Sequence, residues 1–286
     1  MLLVVCMRPK QWLKNGFVVL PALFGEELGS LSQAGRVAAA VACFCIGSSA
    51  LYLVNDVLDR EQDRRHPKKR WRPIAARQIT PRTALTASAV MLVVALGGAV
   101  LVDPLFAVVL GGYCAMTAAY SVWLKHEVIL DVMTIAAGFV LRVIAGAVVV
   151  DVEPSAWILI CTGLLALMLA FAKRRHEGLS LADAREHHRR VLAHYSPAFV
   201  DAMIILTAGA TLTAYAAYTT VGKAADAHLA GSIPFVLYGV LRYLWIVFHR
   251  NEGGSPTAVV WSDRPLQATI ALWVVTVGVL LAVAGG

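Results

Sequence analysis

The chain has 286 residues, 59% of them hydrophobic and only 15% charged, with a formal net charge of +7 and a mean hydropathy of +0.70. That balance excludes an ordinary soluble domain and points to a polytopic membrane protein with an all-α fold. With charge so sparse, the placement of the bases carries the information.

A bilayer crossing needs about 17–25 apolar residues. On that measure nine spans are predicted, at 13–29, 34–57, 82–102, 104–124, 127–150, 155–173, 198–221, 229–249 and 265–284. The first is the weakest, because Pro21 interrupts it and Glu26 closes it. The opening MLLVV is too short for the apolar core of a signal peptide and precedes its bases instead of following them. Met7 is an alternative start. If the loop after the second span is cytoplasmic, alternation places 21 of the 25 bases on that side and only Arg36 and Lys223 on the other, with Arg142 and Arg242 inside spans. This asymmetry predicts a cytoplasmic N-terminus and polar mouth, in a plasma (inner) membrane.

The cytoplasmic loops after the second and sixth spans are long, and the outer connections are short. Four spans separate the two long loops. A single membrane domain over 1–286 is therefore expected, a pseudo-repeat of two four-helix units plus a ninth helix, with any chemistry at the cytoplasmic end. Small residues in the fifth and seventh spans permit close helix packing and leave a homo-oligomer open. The five cysteines form no CxxC and read as small apolar packing residues.

The second span runs directly into NDVLDREQD at 55–63. If the helix continues, Asp56, Asp59 and Asp63 are spaced i, i+3, i+7 and share a face, with Tyr52 one turn before them and Asn55 one turn before Asp59. Three close carboxylates stay ionised only when cations neutralise them. Oxygen-only donors favour Mg2+ (or Mn2+) over zinc or copper, and Mg2+ takes one or two carboxylates plus substrate phosphates. Asn55, Asp56, Asp59 and Asp63 are therefore the candidate metal ligands, and the three aspartates the candidate catalytic residues. The plainer alternative is a charged helix end with local ion pairs from Asp59 to Arg60 or Arg64.

NDVLDREQD resembles the first aspartate-rich motif, NDxxDxxxD, of the UbiA superfamily of intramembrane prenyltransferases, whose nine-helix bundle agrees with the span count. RPKQWLKN at 8–15, HPKKRWRPIAARQI at 66–79, YSVWLKHEVILDVMTIAAGFVLRVIAGA at 120–147, KRRHE at 173–177, HRRVLAHYS at 188–196, YGVLRYLWIVF at 238–248 and DRPL at 263–266 narrow the likeness. Together they resemble the phosphoribosyltransferase branch, which makes the arabinose donor lipid of actinobacterial cell walls. The resemblance implies transfer of phosphoribose from phosphoribosyl diphosphate (PRPP) to a polyprenyl (decaprenyl) phosphate, with Mg2+ on the leaving diphosphate. The partners expected are those two substrates and the bilayer, not nucleic acid. One departure stands out. The second motif of many members, DxxxD, is missing; the loop after the sixth span offers Glu177, Asp183 and Glu186 instead.

An anionic lipid phosphate needs no general base, and no Ser/His/Asp or Cys/His set is evident. The bases then become candidate phosphate contacts: Lys14 (with Asn15), Lys68, Arg70, Arg72, Arg77, Lys125, Lys173, Arg174 and Arg175, with His66 as a further loop donor. Lys14, Arg72, Lys173 and Arg174 are preferred, although the positive-inside rule alone puts many bases here. An intramembrane arginine costs about 2.5–3.5 kcal/mol on insertion scales, so Arg142 and Arg242 are functional candidates by default. Arg242, with Tyr238 one turn away, is placed to meet a lipid phosphate or a buried acid. Arg142 is expected to snorkel outward or pair with Asp151. Asp131, early in the fifth span, is a candidate for metal or ribose contact. Two rivals remain: a UbiA-type aromatic prenyltransferase, and a transporter or flippase.

Overall fold

The computed structural model of the chain describes residues 2–24, 31–67, 69–179, 194–221 and 228–284. Helices dominate, and no strand occurs among the described residues. In chain order they are α1 (Leu2–Met7), a 3-10 helix (Pro9–Val18), α2 (Leu20–Phe24), α3 (Leu31–Leu58), α4 (Arg60–Arg65), α5 (Pro81–Val102), α6 (Pro104–Val122), α7 (Leu130–Val149), α8 (Ala156–Leu179), α9 (Pro197–Thr220), α10 (Ile233–His249), α11 (Pro256–Ser262) and α12 (Arg264–Ala284).

Eight segments among the described residues are long and apolar enough to cross a bilayer: α3, α5, α6, α7, α8, α9, Leu229–His249 and α12. They coincide with the second to ninth predicted spans within a few residues. The first predicted span, 13–29, is not one long helix. Its described part is the 3-10 helix followed by the five-residue α2. Pro21, with no N–H to donate and a ring that crowds the preceding turn, stands inside α2 and disfavours a continuous α-helix there.

The helix starts follow a repeated local rule. Thr80–Pro81, Asp103–Pro104, Ser196–Pro197 and Ser255–Pro256 each place a capping oxygen before a proline. Each cap accepts from an otherwise unpaired N–H: Thr80 from Thr83, Asp103 from Leu105 and Phe106, Ser196 from Phe199, and Ser255 from Ala258. The proline gives up an N–H that would have had no partner in the first turn.

The described residues divide into two compact units. The first takes the chain up to Thr134 and again Leu141–Glu153; the second takes Ile135–Val140 and the chain from Pro154 onward. In the first, α3 packs on α5 and α6, and the 3-10 helix lies along α3. Phe44, Leu51, Phe106, Leu110 and Val149 form its buried core. In the second, α8 packs on α9 and α10 on α12.

One contact in the first unit admits no side chain. A Cβ on Gly146 of α7 would lie 2.0 Å from the Val18 carbonyl oxygen at the end of the 3-10 helix. A backbone oxygen cannot turn aside as a side chain can. Gly146→Ala is therefore expected to cost about 3 kcal/mol, the upper end of overpacking effects. Gly111→Ala, whose Cβ would meet only Leu96 Cδ2 at 4.0 Å, is the tolerated control. Thermal unfolding of the two purified variants checks the difference.

Candidate active site

The acidic stretch sits where α3 ends. α3 stops at Leu58, Asp59 takes a non-helical ψ of 2°, and α4 follows from Arg60. The Asp59 N–H reaches the Asn55 carbonyl at 2.9 Å and the Asp63 N–H reaches the Asp59 carbonyl at 2.8 Å. The helical spacing expected from the sequence is thus nearly kept. α4 ends at His66, which is extended because Pro67 follows it.

Asp56 and Asp63 are both buried, at 3% and 4% exposure. Arg72 Nη1 donates to Asp56 Oδ1 at 3.0 Å and to Asp63 Oδ2 at 2.7 Å. Arg8 Nη2 donates to the same Asp56 oxygen, and its guanidinium lies 5.0 Å over the Tyr52 ring. Asp59 goes elsewhere: Lys125 Nζ reaches its Oδ1 at 2.6 Å and Asn55 Nδ2 its Oδ2 at 3.0 Å. The three acids therefore share a stripe but not a single centre. No group of three or more His, Cys, Asp or Glu side chains able to hold a metal occurs among the described residues. Asn55 orients Asp59. Arg60 and Arg64 pair with Glu61, not with Asp59.

Do these residues fit a divalent cation? Two carboxylates, from α3 and α4, already converge on one positive nitrogen. Mg2+ commonly takes one or two carboxylates and fills its remaining positions with water and phosphate. Asp56 and Asp63 fit that pattern, and Asp59 is the outlier.

The other first-unit candidates are dispersed. Asp131 is fully buried in the first turn of α7, where the helix dipole favours a carboxylate. Just before it, Ile129 has φ 69°, a strained value for a β-branched residue. His66 Nδ1 accepts from the Lys69 N–H at 3.2 Å, a local turn contact. Arg70 lies over Trp71 at 4.8 Å, and Arg77 is exposed with a left-handed φ of 60°. Lys68, Asp183 and Glu186 lie outside the described residues.

Arg142 overturns its expectation. It neither snorkels nor pairs with Asp151, which is exposed. It is 4% exposed, donates from Nε to Asn15 Oδ1 at 2.9 Å and from Nη2 to Tyr113 OH at 2.8 Å, and lies 4.5 Å over the Tyr113 ring. Asn15 Nδ2 in turn contacts Cys45 Sγ at 3.1 Å. Trp12 Nε1 reaches Ser49 Oγ at 3.0 Å, and that hydroxyl donates to the Met7 carbonyl at 3.0 Å. The segment carrying Arg8, Lys14 and Asn15 is thereby stitched to α3, α6 and α7.

In the second unit most candidate bases have structural partners. Arg175 donates to Asp201 at 2.8 Å, the Val247 carbonyl at 3.0 Å and Asn251 at 2.8 Å, so it ties α8 to α9 and to the end of α10. Arg174, with no side-chain exposure, meets Glu177 at 2.6 Å, and Lys173 lies 3.9 Å from the same carboxylate. Arg242 has a buried acid partner: Nε and Nη2 grip Asp263 at 3.2 and 2.8 Å. That hydrogen bond holds Asp263 below the usual carboxylate range, helped by the Leu266 N–H and Arg250 against the opposing effect of burial. Tyr238 is 48% exposed. Sequence reasoning missed Arg8, Tyr113 and Asp263 as partners. RPKQWLKN and DRPL, quoted for their resemblance, contain two of them, Arg8 and Asp263, without naming their partners.

Eight long apolar segments among the described residues, the first of them leading into an aspartate pair bridged by Arg72, are what the sequence leads one to expect of an aspartate-rich intramembrane transferase. The UbiA prenyltransferase family matches residues 16–264 of the chain. The chain belongs to that family and is an integral multi-pass membrane protein. It is 32% identical to decaprenyl-phosphate phosphoribosyltransferase of Mycobacterium tuberculosis, over 98% of this chain and 94% of that protein. It is 31% identical to the protein of that name from Mycolicibacterium smegmatis, over 96% and 91%. Its fold is similar to a UbiA homolog from Archaeoglobus fulgidus bound to DMAPP and Mg2+, with a TM-score of 0.76 and 18% identity over 99% of this chain and all of the other.

Proposed function

We propose that this chain transfers 5-phosphoribose from 5-phosphoribosyl 1-diphosphate to a polyprenyl (decaprenyl) phosphate and releases diphosphate. The observation that carries the reading is the pair Asp56 and Asp63 converging on one cationic centre, in a chain similar end to end to curated phosphoribosyltransferases. The bond from ribose C1 to the diphosphate oxygen breaks, and a bond from C1 to a lipid-phosphate oxygen forms. Asp56 and Asp63 would hold Mg2+, which would supply neutralisation of the charge on the departing diphosphate.

The chain's own groups do the rest. The nucleophile is already anionic, so no side chain has to remove a proton. The carboxylates tolerate the positive charge that develops at C1. Arg8 and Arg72, already at the acids, are assigned to diphosphate oxygens, which a guanidinium grips in pairs. Lys14 and Lys125 are assigned to phosphates as point charges. The 21 bases that alternation of the predicted spans assigns to one side support a cytoplasmic N-terminus and acid cluster in a plasma membrane.

A second reading, prenyl transfer to an aromatic acceptor, is favoured by the prenyl diphosphate in the Archaeoglobus homolog. Purified protein given decaprenyl phosphate and labelled phosphoribosyl diphosphate is expected to put the label into lipid, only with divalent metal. Label entering from prenyl diphosphate into an aromatic acceptor, and not from the sugar donor, would reverse the assignment.

A further inference from the structure

The acid cluster is already balanced without a ligand. Asp56, Asp59 and Asp63 carry three negative charges, and Arg8, Arg72 and Lys125 bring three positive charges onto them. The balance is not evenly built. Lys125 serves Asp59 alone, while one nitrogen of Arg72 stands between Asp56 and Asp63, the two carboxylates that would have to share a metal. Arg72 comes from a loop, and 27% of its side chain is exposed. That loop is anchored independently of the guanidinium. Ile74 and Ala75 are buried, Arg64 Nε holds the Ala75 carbonyl at 3.0 Å, and the Arg72 N–H reaches the Lys69 carbonyl at 3.0 Å. The side chain can therefore swing without the backbone moving.

We propose that Arg72 is a resident counter-ion that couples divalent metal and diphosphate here, so that each binds more tightly when the other is present. The proposal rests on the reading that Asp56 and Asp63 hold the metal. A bare divalent cation would have to displace Arg72, strand its guanidinium without an anion, and leave a neutral cluster with two excess positive charges. A cation arriving with diphosphate brings its own negative charge. Arg72, released from the carboxylates, then moves onto the diphosphate oxygens, which suit its planar fork as well as the carboxylates did. No covalent bond changes in this exchange. The site takes metal alone weakly and the metal–donor complex more tightly. By linkage, each partner raises the affinity of the other by one common factor.

The test uses purified full-length protein, Mn2+ as the metal, and inorganic diphosphate as the anion, with free Mn2+ read by its spin resonance and protein-free diphosphate as the blank. Wild type is expected to bind Mn2+ at least about 10-fold more tightly with diphosphate than without, within the usual range of coupling. Arg72→Gln is expected to bind Mn2+ alone at least about 10-fold more tightly than wild type and to lose most of the coupling. Arg72→Lys, which keeps the charge but is not a planar fork, is expected to fall between them, and it supplies the measurement if the glutamine variant does not fold. A role for Arg72 in packing alone would weaken metal binding or leave it unchanged. That result overturns the proposal and leaves the metal reading standing. If neither wild type nor any variant binds Mn2+ saturably, with or without diphosphate, and turnover proceeds without metal, both fall.

Discussion

Asp56→Asn and Asp63→Asn are each expected to cut metal-dependent turnover by at least about 10²-fold, the order of effect of removing one preorganised charge, whereas Asp59→Asn costs only about 10-fold, as an outer-shell partner does. The gradation follows from the geometry. Asp56 and Asp63 point at one nitrogen, and Asp59 points at Lys125. Replacing Asp56 also leaves two guanidiniums on one neutral amide. Arg8 and Arg72 keep about a quarter of their side chains in water, at 26% and 27%, so solvent screens them and the stability loss stays near 1–2 kcal/mol. Steady-state rates with saturating donor, beside thermal unfolding of each variant in detergent, separate the two effects. Equal losses at all three positions would return Asp59 to the centre of the site, and a fully active Asp56→Asn would take the acids out of the chemistry.

What the sequence disclosed, and what it did not, follows the range of the interactions. Spans are local: a run of apolar residues needs no partner to be recognised, and all but the first stood out by length. The first did not, because hydropathy does not separate a spanning α-helix from a 3-10 segment folded against its neighbours. The acids were legible because their spacing along one helix is also local. Their counter-ions were not. Arg8 lies 48 residues from Asp56 and Lys125 lies 66 from Asp59, and nothing in either stretch names the other. Arg142 and Arg242 show the same limit. Depth along a helix follows from residue count, but the direction a side chain takes depends on how the helix is rotated. The count placed Arg142 inside a span, as α7 has it, and the rotation, which turns it toward Asn15 and Tyr113, needed the fold.

Arg142→Met is the second large effect expected, and it acts through the segment it holds. The substitution removes the donors that reach Asn15 Oδ1 and Tyr113 OH. Each buried acceptor left unsatisfied costs about 1–3 kcal/mol, offset in part because a buried charge goes with it. A net loss of about 2–4 kcal/mol is expected. Arg142→Lys recovers little, since one ammonium cannot reproduce two donors fixed in a planar fork. The same segment presents Lys14 and delivers Arg8 to Asp56, so the donor KM is expected to rise along with the loss of stability. A double-mutant cycle with Asn15→Leu distinguishes a true clamp from general packing damage. If Arg142 works through Asn15, the double variant loses less than the two single variants together by about 1 kcal/mol or more. Additivity within about 0.5 kcal/mol would mean the two residues act independently and that the 3-10 helix is held by its other contacts, Trp12 to Ser49 and Gly146 against Val18.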